Sequence, residues 1–175
     1  MTAIGRAMGE RESRGPSAGD PAALLEEHLQ TLGRVAMALL GDAERVEQAL
    51  EQVAREACAR GLPEGEKPIV WLLGLVRSAC ATQRSRLSLG SRATSSEEAP
   101  KTARLGAAGA VPARAALAAL KPTERDAVVL CLVGGLDAAA VARACNVDLT
   151  TAKARIACGL EQLLERETRE EGGAR

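Results

Sequence analysis

The sequence predicts an all-α fold, two small helical bundles joined by a flexible linker, and three observations carry that expectation. The core material is almost free of aromatics: among 175 residues there is one Trp, Trp71, with no Phe and no Tyr. A core of Leu, Val, Ile and Ala suits closely packed helices, and Ala is the strongest helix former. Apolar residues recur at intervals of three and four, while the alternation that marks a half-buried strand is absent. Between residues 87 and 112 the period fails and Ser, Gly and Ala take over, which reads as a linker between two patterned stretches.

The elements follow in order. Residues 1–19 carry charge and Gly without a period and read as a disordered tail. Asp20 then offers an N-cap acceptor and Pro21 a first helical residue, opening a helix with a stripe of Leu25, Leu29, Leu32, Ala36 and Leu39 that Gly41 ends. A second helix places Val46, Ala49, Leu50, Val53, Ala54 and Ala57 on one face. Its other face is acid and amide (Glu44, Glu47, Gln48, Glu51, Gln52), and Gly61 with Pro63 stops it. A third helix, expected from about Pro68 to Arg86, starts with the apolar run Ile69 to Leu73 and ends basic, with Arg77, Arg84 and Arg86 and no acid after Glu66. Residues 20–86 thus form the first bundle. The second, residues 113–168, resumes helical patterning at Ala115. Pro122 opens a helix with Val128, Val129, Leu130 and Leu132, which Gly134 and Gly135 stop. Residues 169–175 read as a frayed end. Neither bundle has much core of its own.

The stretch GLDAAAVARACNVDLTTAKARI, from Gly135 to Ile156, has the spacing of a helix-turn-helix. Asp137 can cap a short helix with Ala138, Val141, Ala142 and Cys145 inward. Asn146 falls where a tight turn needs a left-handed residue. Asp148 can cap a second helix whose inward stripe is Ala152, Ile156, Leu160 and Leu163. An ordinary helical hairpin shares this outline, and the spacing favours the helix-turn-helix.

Several function classes are excluded or disfavoured. The 23 basic and 23 acidic residues cancel, so no global field holds a polyanion and any DNA binding must be local. Without aromatic platforms, the common single-strand modules do not fit. The cysteines at 58, 80, 131, 145 and 158 form no CxxC, and His28 has no Cys neighbour, so no metal site is expected. No cofactor-binding loop and no nucleophile with a base partner appears, which argues against an enzyme. An odd cysteine count with neither a signal nor a long apolar run points to the cytoplasm, without membrane insertion.

Three motifs in order resemble a known family. ALAALKPTERDAVVLCLVGGLDAAAVARACNVDLTTAKARI is similar to the promoter-binding region of bacterial RNA polymerase sigma factors, in the small extracytoplasmic-function group. LLGDAERVEQALEQVAREA is similar to that family's core-binding helix, and VWLLGLVRSACATQRSR to its promoter-melting helix. The resemblance covers most of residues 22–168. It implies a first domain that docks on core RNA polymerase, a second that meets promoter DNA, and an anti-sigma factor as a further candidate partner.

The resemblance assigns Glu47, Gln48, Glu51 and Gln52 to polymerase binding, and Trp71, Arg77, Arg84, Thr150, Thr151, Lys153 and Arg155 to DNA. The departures are specific. Ala54, Cys58 and Leu73 stand where the family often has aromatics, and Cys158 and Leu160 where it often has basic residues. Trp71 also reads as helix-to-helix core. At 100° per residue, the last helix turns outward Thr150, Thr151, Ala154, Ala157, Cys158 and Glu161, with Lys153 and Arg155 at the flanks. Base edges are read mainly by Arg, Lys, Asn or Gln, so this face offers cations for phosphates and little for bases. Two expectations stay open: an initiation factor of the sigma type, and a degenerate sigma-like protein acting through protein contacts alone, as decoy, adaptor or regulator of another sigma factor.

Overall fold

A computed structural model describes residues 20–90 and 110–172, and within them every regular element is a helix. The expected tail 1–19, most of the linker 87–112 and the last three residues lie outside the described residues. The first three helices are α1 (Pro21–Leu40), α2 (Ala43–Arg60) and α3 (Pro68–Gly90); α4 (Ala110–Ala118), α5 (Pro122–Leu132), α6 (Ala138–Cys145) and α7 (Leu149–Gly172) follow. Two ends differ from expectation. Helix α3 continues past Arg86 to Gly90, and α4 begins at Ala110, so helix reaches into both margins of the expected linker.

The starts and stops are local chemistry. Asp20 accepts from the Ala22 N–H, and Pro21 occupies the first turn, where a missing N–H costs nothing. Asp42 accepts from the Arg45 N–H at 3.0 Å, so the residue that follows the α1 stop is already the α2 cap. Gly41 makes that stop possible with φ 70°, a left-handed backbone.

Helices α1, α2 and α3 pack in a mutual triangle; α5, α6 and α7 form a second group. The two groups are not separate beads. Helix α3 lies on α6 and α1 touches α5, and one continuous cluster of buried residues runs from Leu32, Val53 and Leu72 through Leu73 into Leu130 and Val141. Leu32, Leu72, Leu73 and Leu130 are fully buried, each favouring the folded state by about 1.5–3 kcal/mol over an exposed side chain. Closeness at the seam depends on a small residue. A Cβ on Gly74 would lie 3.3 Å from the Ala144 carbonyl oxygen and 3.5 Å from its Cα, so α3 and α6 approach backbone to backbone.

Candidate nucleic-acid interface

The helix-turn-helix is built as its sequence requires. Asp137 caps α6 by accepting from the Ala140 N–H at 2.7 Å. Asn146 adopts φ 53° and ψ 52°, and among the described residues it is the one non-glycine with positive φ. The Asn146 N–H donates to the Arg143 carbonyl and the Val147 N–H to the Ala142 carbonyl, both at 3.0 Å. That pair of bonds is a Schellman closure, satisfying carbonyls the helix end would leave orphaned. Asp148 then caps α7, accepting from the Thr151 N–H at 2.8 Å and from the Thr151 hydroxyl at 2.5 Å. Those two bonds hold the Asp148 carboxyl below its ordinary pKa.

Helix α7 is fixed from behind by α5. A Cβ on Gly159 would fall 2.5 Å from Val128 Cγ2, so the helices cross at a glycine. Glu124 is buried; it accepts from Gln162 Nε2 at 2.9 Å and from Lys121 Nζ at 3.3 Å, and the Gln162 bond is the main cause of its lowered pKa. Ala152 is buried and Ile156 half-buried. Thr150, Lys153, Ala154, Ala157, Cys158 and Glu161 are exposed, and Thr151 and Arg155 are half-buried. The outward face therefore carries methyl groups, one free threonine hydroxyl and the Lys153 ammonium, while the Thr151 hydroxyl is engaged by Asp148. Such a face can take phosphates and touch thymine methyls; it has no bidentate base reader.

The cations of α3 stand in a different environment. Arg77 donates from Nε to the Ala144 carbonyl oxygen at 3.2 Å. Arg84 donates from Nη2 to Asp126 Oδ1 at 2.8 Å and Oδ2 at 3.2 Å, with the Arg84 and Asp126 side chains 19% and 8% exposed. Burial pushes the Asp126 carboxyl up and the nearby Arg84 charge opposes it. The pairing is incomplete: Arg84 Nη1 and Arg125 Nε are buried without a hydrogen-bond partner among the described residues. Trp71 is half-buried and packs against the shared core, and Leu73 is fully buried within it.

The acid and amide face of α2 is open. Glu47, Gln48 and Glu51 are exposed and Gln52 is half-buried. Gln48 donates to Glu44 at 3.5 Å and Gln52 to Glu56 at 2.9 Å. Glu47 and Glu51 have no ion-pair partner among the described residues. The structure thus keeps the three sets of expected residues apart: α2 acids outside, α3 cations in the seam, α7 polar residues outside.

Asp126 escaped sequence reasoning, although a signal was there. It shares a helical stripe with Val129, Leu130 and Val133, as Arg84 does with Leu73, Val76 and Cys80. Opposite charges set within two apolar stripes are what a buried pair leaves in a sequence.

Comparison with known proteins bears on this arrangement. Residues 111–163, running from α4 into α7, match the family described as Sigma-70, region 4. No curated protein matches the chain in sequence. Among solved structures, the sigma factor RpoE in complex with the anti-sigma factor NepR from Bartonella quintana is similar at 23% identity and a TM-score of 0.68, over 82% of this chain and 94% of that one. CnrH in complex with the cytosolic domain of CnrY is similar at 14% identity and TM-score 0.60, over 85% and 88%. The PhyRSL–NepR complex from Sphingomonas sp. Fr1 is similar at 20% identity and TM-score 0.59, over 82% and 87%. At these identities the likeness is one of fold, and it extends over both helical groups.

Proposed function

We propose that the chain is a sigma-70 family member of the extracytoplasmic-function group and acts as a transcription initiation factor, a reading supported by the match of residues 111–163 to Sigma-70, region 4 and by the fold it shares with the sigma factor RpoE. It binds core RNA polymerase in the cytoplasm and brings the α6–turn–α7 unit to promoter DNA. One observation carries this reading: the matched residues 111–163 include a helix-turn-helix closed by Asn146 and capped by Asp148, with Thr150 and Lys153 outward. Weak grip by the free protein is compatible with that role. Attachment to polymerase raises the local concentration of α7 at the promoter, so contacts too weak to select alone can select in the complex.

The open acidic face of α2 is the proposed polymerase contact, with Glu47, Gln48, Glu51 and Gln52 as its residues. The test is co-elution with core polymerase. Glu47→Lys combined with Glu51→Lys should abolish co-elution while circular dichroism stays unchanged; retained co-elution removes this surface from the account.

A second reading is a sigma-like protein that works through protein contacts alone. It is favoured by the engagement of Arg77 and Arg84 inside the molecule and by the neutral outward face of α7. Run-off transcription from a duplex upstream of its own gene separates the two. An initiation factor supports transcription that Lys153→Ala and Arg155→Ala reduce. A protein-contact regulator binds its partner, starts no transcript and is indifferent to both substitutions. The complex of the similar sigma factor RpoE with the anti-sigma factor NepR supports an anti-sigma partner under either reading.

A further inference from the structure

The first turns of α2 and the last turns of α3 lie side by side, and between them is an open cleft of about 310 Å³ lined by Glu44, Arg45, Gln48, Gln83 and Arg86. That volume is at the lower end of what small-molecule sites offer. Gln83 is the unusual member. It continues the buried run of Val76, Ala79 and Cys80 along α3 and is itself only 7% exposed, where an apolar side chain would pack at no polar cost. Buried amides are nearly always paired, yet Gln83 makes no hydrogen bond to a described residue. Among the described residues the sealed, unpaired side-chain atoms are Arg84 Nη1 and Arg125 Nε. The Gln83 amide is therefore not sealed, and its small opening is to the cleft that it lines.

The other lining residues supply charge. Arg86 is exposed and has no ion pair among the described residues. Arg45 is half-buried, and its contact from Nε to Asp42 Oδ1 is 4.0 Å long, so both guanidinium groups keep donors free. Such planar forks suit a phosphoryl group. The same cleft holds acceptors: the Glu44 carboxylate, which takes one long bond of 3.5 Å from Gln48, and the oxygens of the two glutamine amides. A ligand that satisfies both sets is anionic at one end and donates hydrogen bonds from the other. A long run of phosphates would set negative charge against Glu44, which disfavours a polynucleotide. From this chemistry we propose that the α2–α3 cleft binds a small phosphorylated polyol, its phosphoryl group on Arg45 and Arg86 and its hydroxyls on Gln83, Gln48 and Glu44. The site goes beyond the proposed function, in which Gln48 alone of these residues takes part.

The test is a titration of the full chain followed by NMR, with neither polymerase nor DNA present. The Gln83 side-chain amide pair, identified by its absence from the Gln83→Leu spectrum, should move and saturate as glycerol phosphate is added. Inorganic phosphate should bind more weakly, and glycerol alone should move nothing. Arg86→Gln, an exposed change that leaves the core untouched, should weaken glycerol phosphate by about tenfold, the effect of one lost charge-assisted hydrogen bond. Calorimetric titration should read a similar loss in Gln83→Leu, whose melting temperature should not fall, because Leu completes the apolar run. A lower melting temperature with unchanged affinity would make Gln83 a structural residue and overturn its place in the site. Equal affinity for inorganic phosphate and glycerol phosphate would overturn the polyol end of the ligand. The whole site is overturned if sodium chloride at matched ionic strength moves the Gln83 signals as far, or if Arg86→Gln binds as tightly as the wild type. Should Gln83→Leu fail to fold, calorimetry on Arg86→Gln decides alone.

Discussion

Helices α3 and α7 both bear arginine or lysine that the sequence reading gives to DNA, and folding treats them in opposite ways. On α3, Arg77 and Arg84 share a side with Leu73 and Cys80, and that side is drawn into the core together with them. On α7, Lys153 and Arg155 stand away from the stripe of Ala152 and Ile156, so Lys153 is exposed and Arg155 half-buried. The lesson concerns where a cation sits relative to its own helix's apolar stripe. A cation beside the stripe remains available to an outside partner, whereas one within it must find an anion inside the molecule or hold the molecule open.

The strongest way to break this comparison is to remove the internal anion. Asp126→Ala strands the Arg84 charge in the seam, and losing one partner of a buried pair costs about 3–5 kcal/mol. Lys153→Ala, an exposed change with no pairing, should stay within about 0.5 kcal/mol. Urea unfolding of the two variants side by side checks the contrast; equal effects would put Arg84 and Lys153 in the same class.

The mount of α7 comes next. Gly159→Ala drives a Cβ toward the branched Val128 side chain, and overpacking of this kind costs about 1–3 kcal/mol. Chemical denaturation should show that loss. Unaltered stability would mean that α5 and α7 are looser than their crossing indicates.

A smaller effect is expected at the turn. Asn146→Ala should lose about 1 kcal/mol, because Ala is strained at φ 53°, and Asn146→Gly should cost almost nothing. A thermal melt in which Gly and Ala behave alike would remove the left-handed turn from the account of how α6 and α7 are set.

The smallest effect is a titration. The Asp148 carboxyl is held below its ordinary pKa by Thr151, so its capping contribution is fully present above the unfolded carboxylate value. That contribution is lost as pH falls through the depressed folded value. Following the Asp148 carboxyl carbon by NMR should show the low midpoint, with Thr151→Val moving it back up. A midpoint indifferent to Thr151→Val would mean that the threonine hydroxyl is free to face DNA after all.

The sequence by itself determined the helices, their caps and the helix-turn-helix, because each depends on groups three to five residues apart. Asp20 with Pro21, Asp137, Asn146 and Asp148 satisfy the ends of their own helices, and no distant residue is needed to place them. The outward faces of α2 and α7 were legible for the same reason, since 100° per residue fixes them once the inward stripe is known. Only the tertiary structure decided what Arg77, Arg84, Trp71 and Leu73 do. Their spacing puts Arg77 and Arg84 on one side of α3, where the sequence reading gives them to DNA, but what that side meets depends on how the two groups dock. That docking is set by Gly74 against Ala144 and by a carboxylate 42 residues from its arginine. Helical periodicity records the direction of a side chain from its own axis and carries no information about which distant surface closes over it.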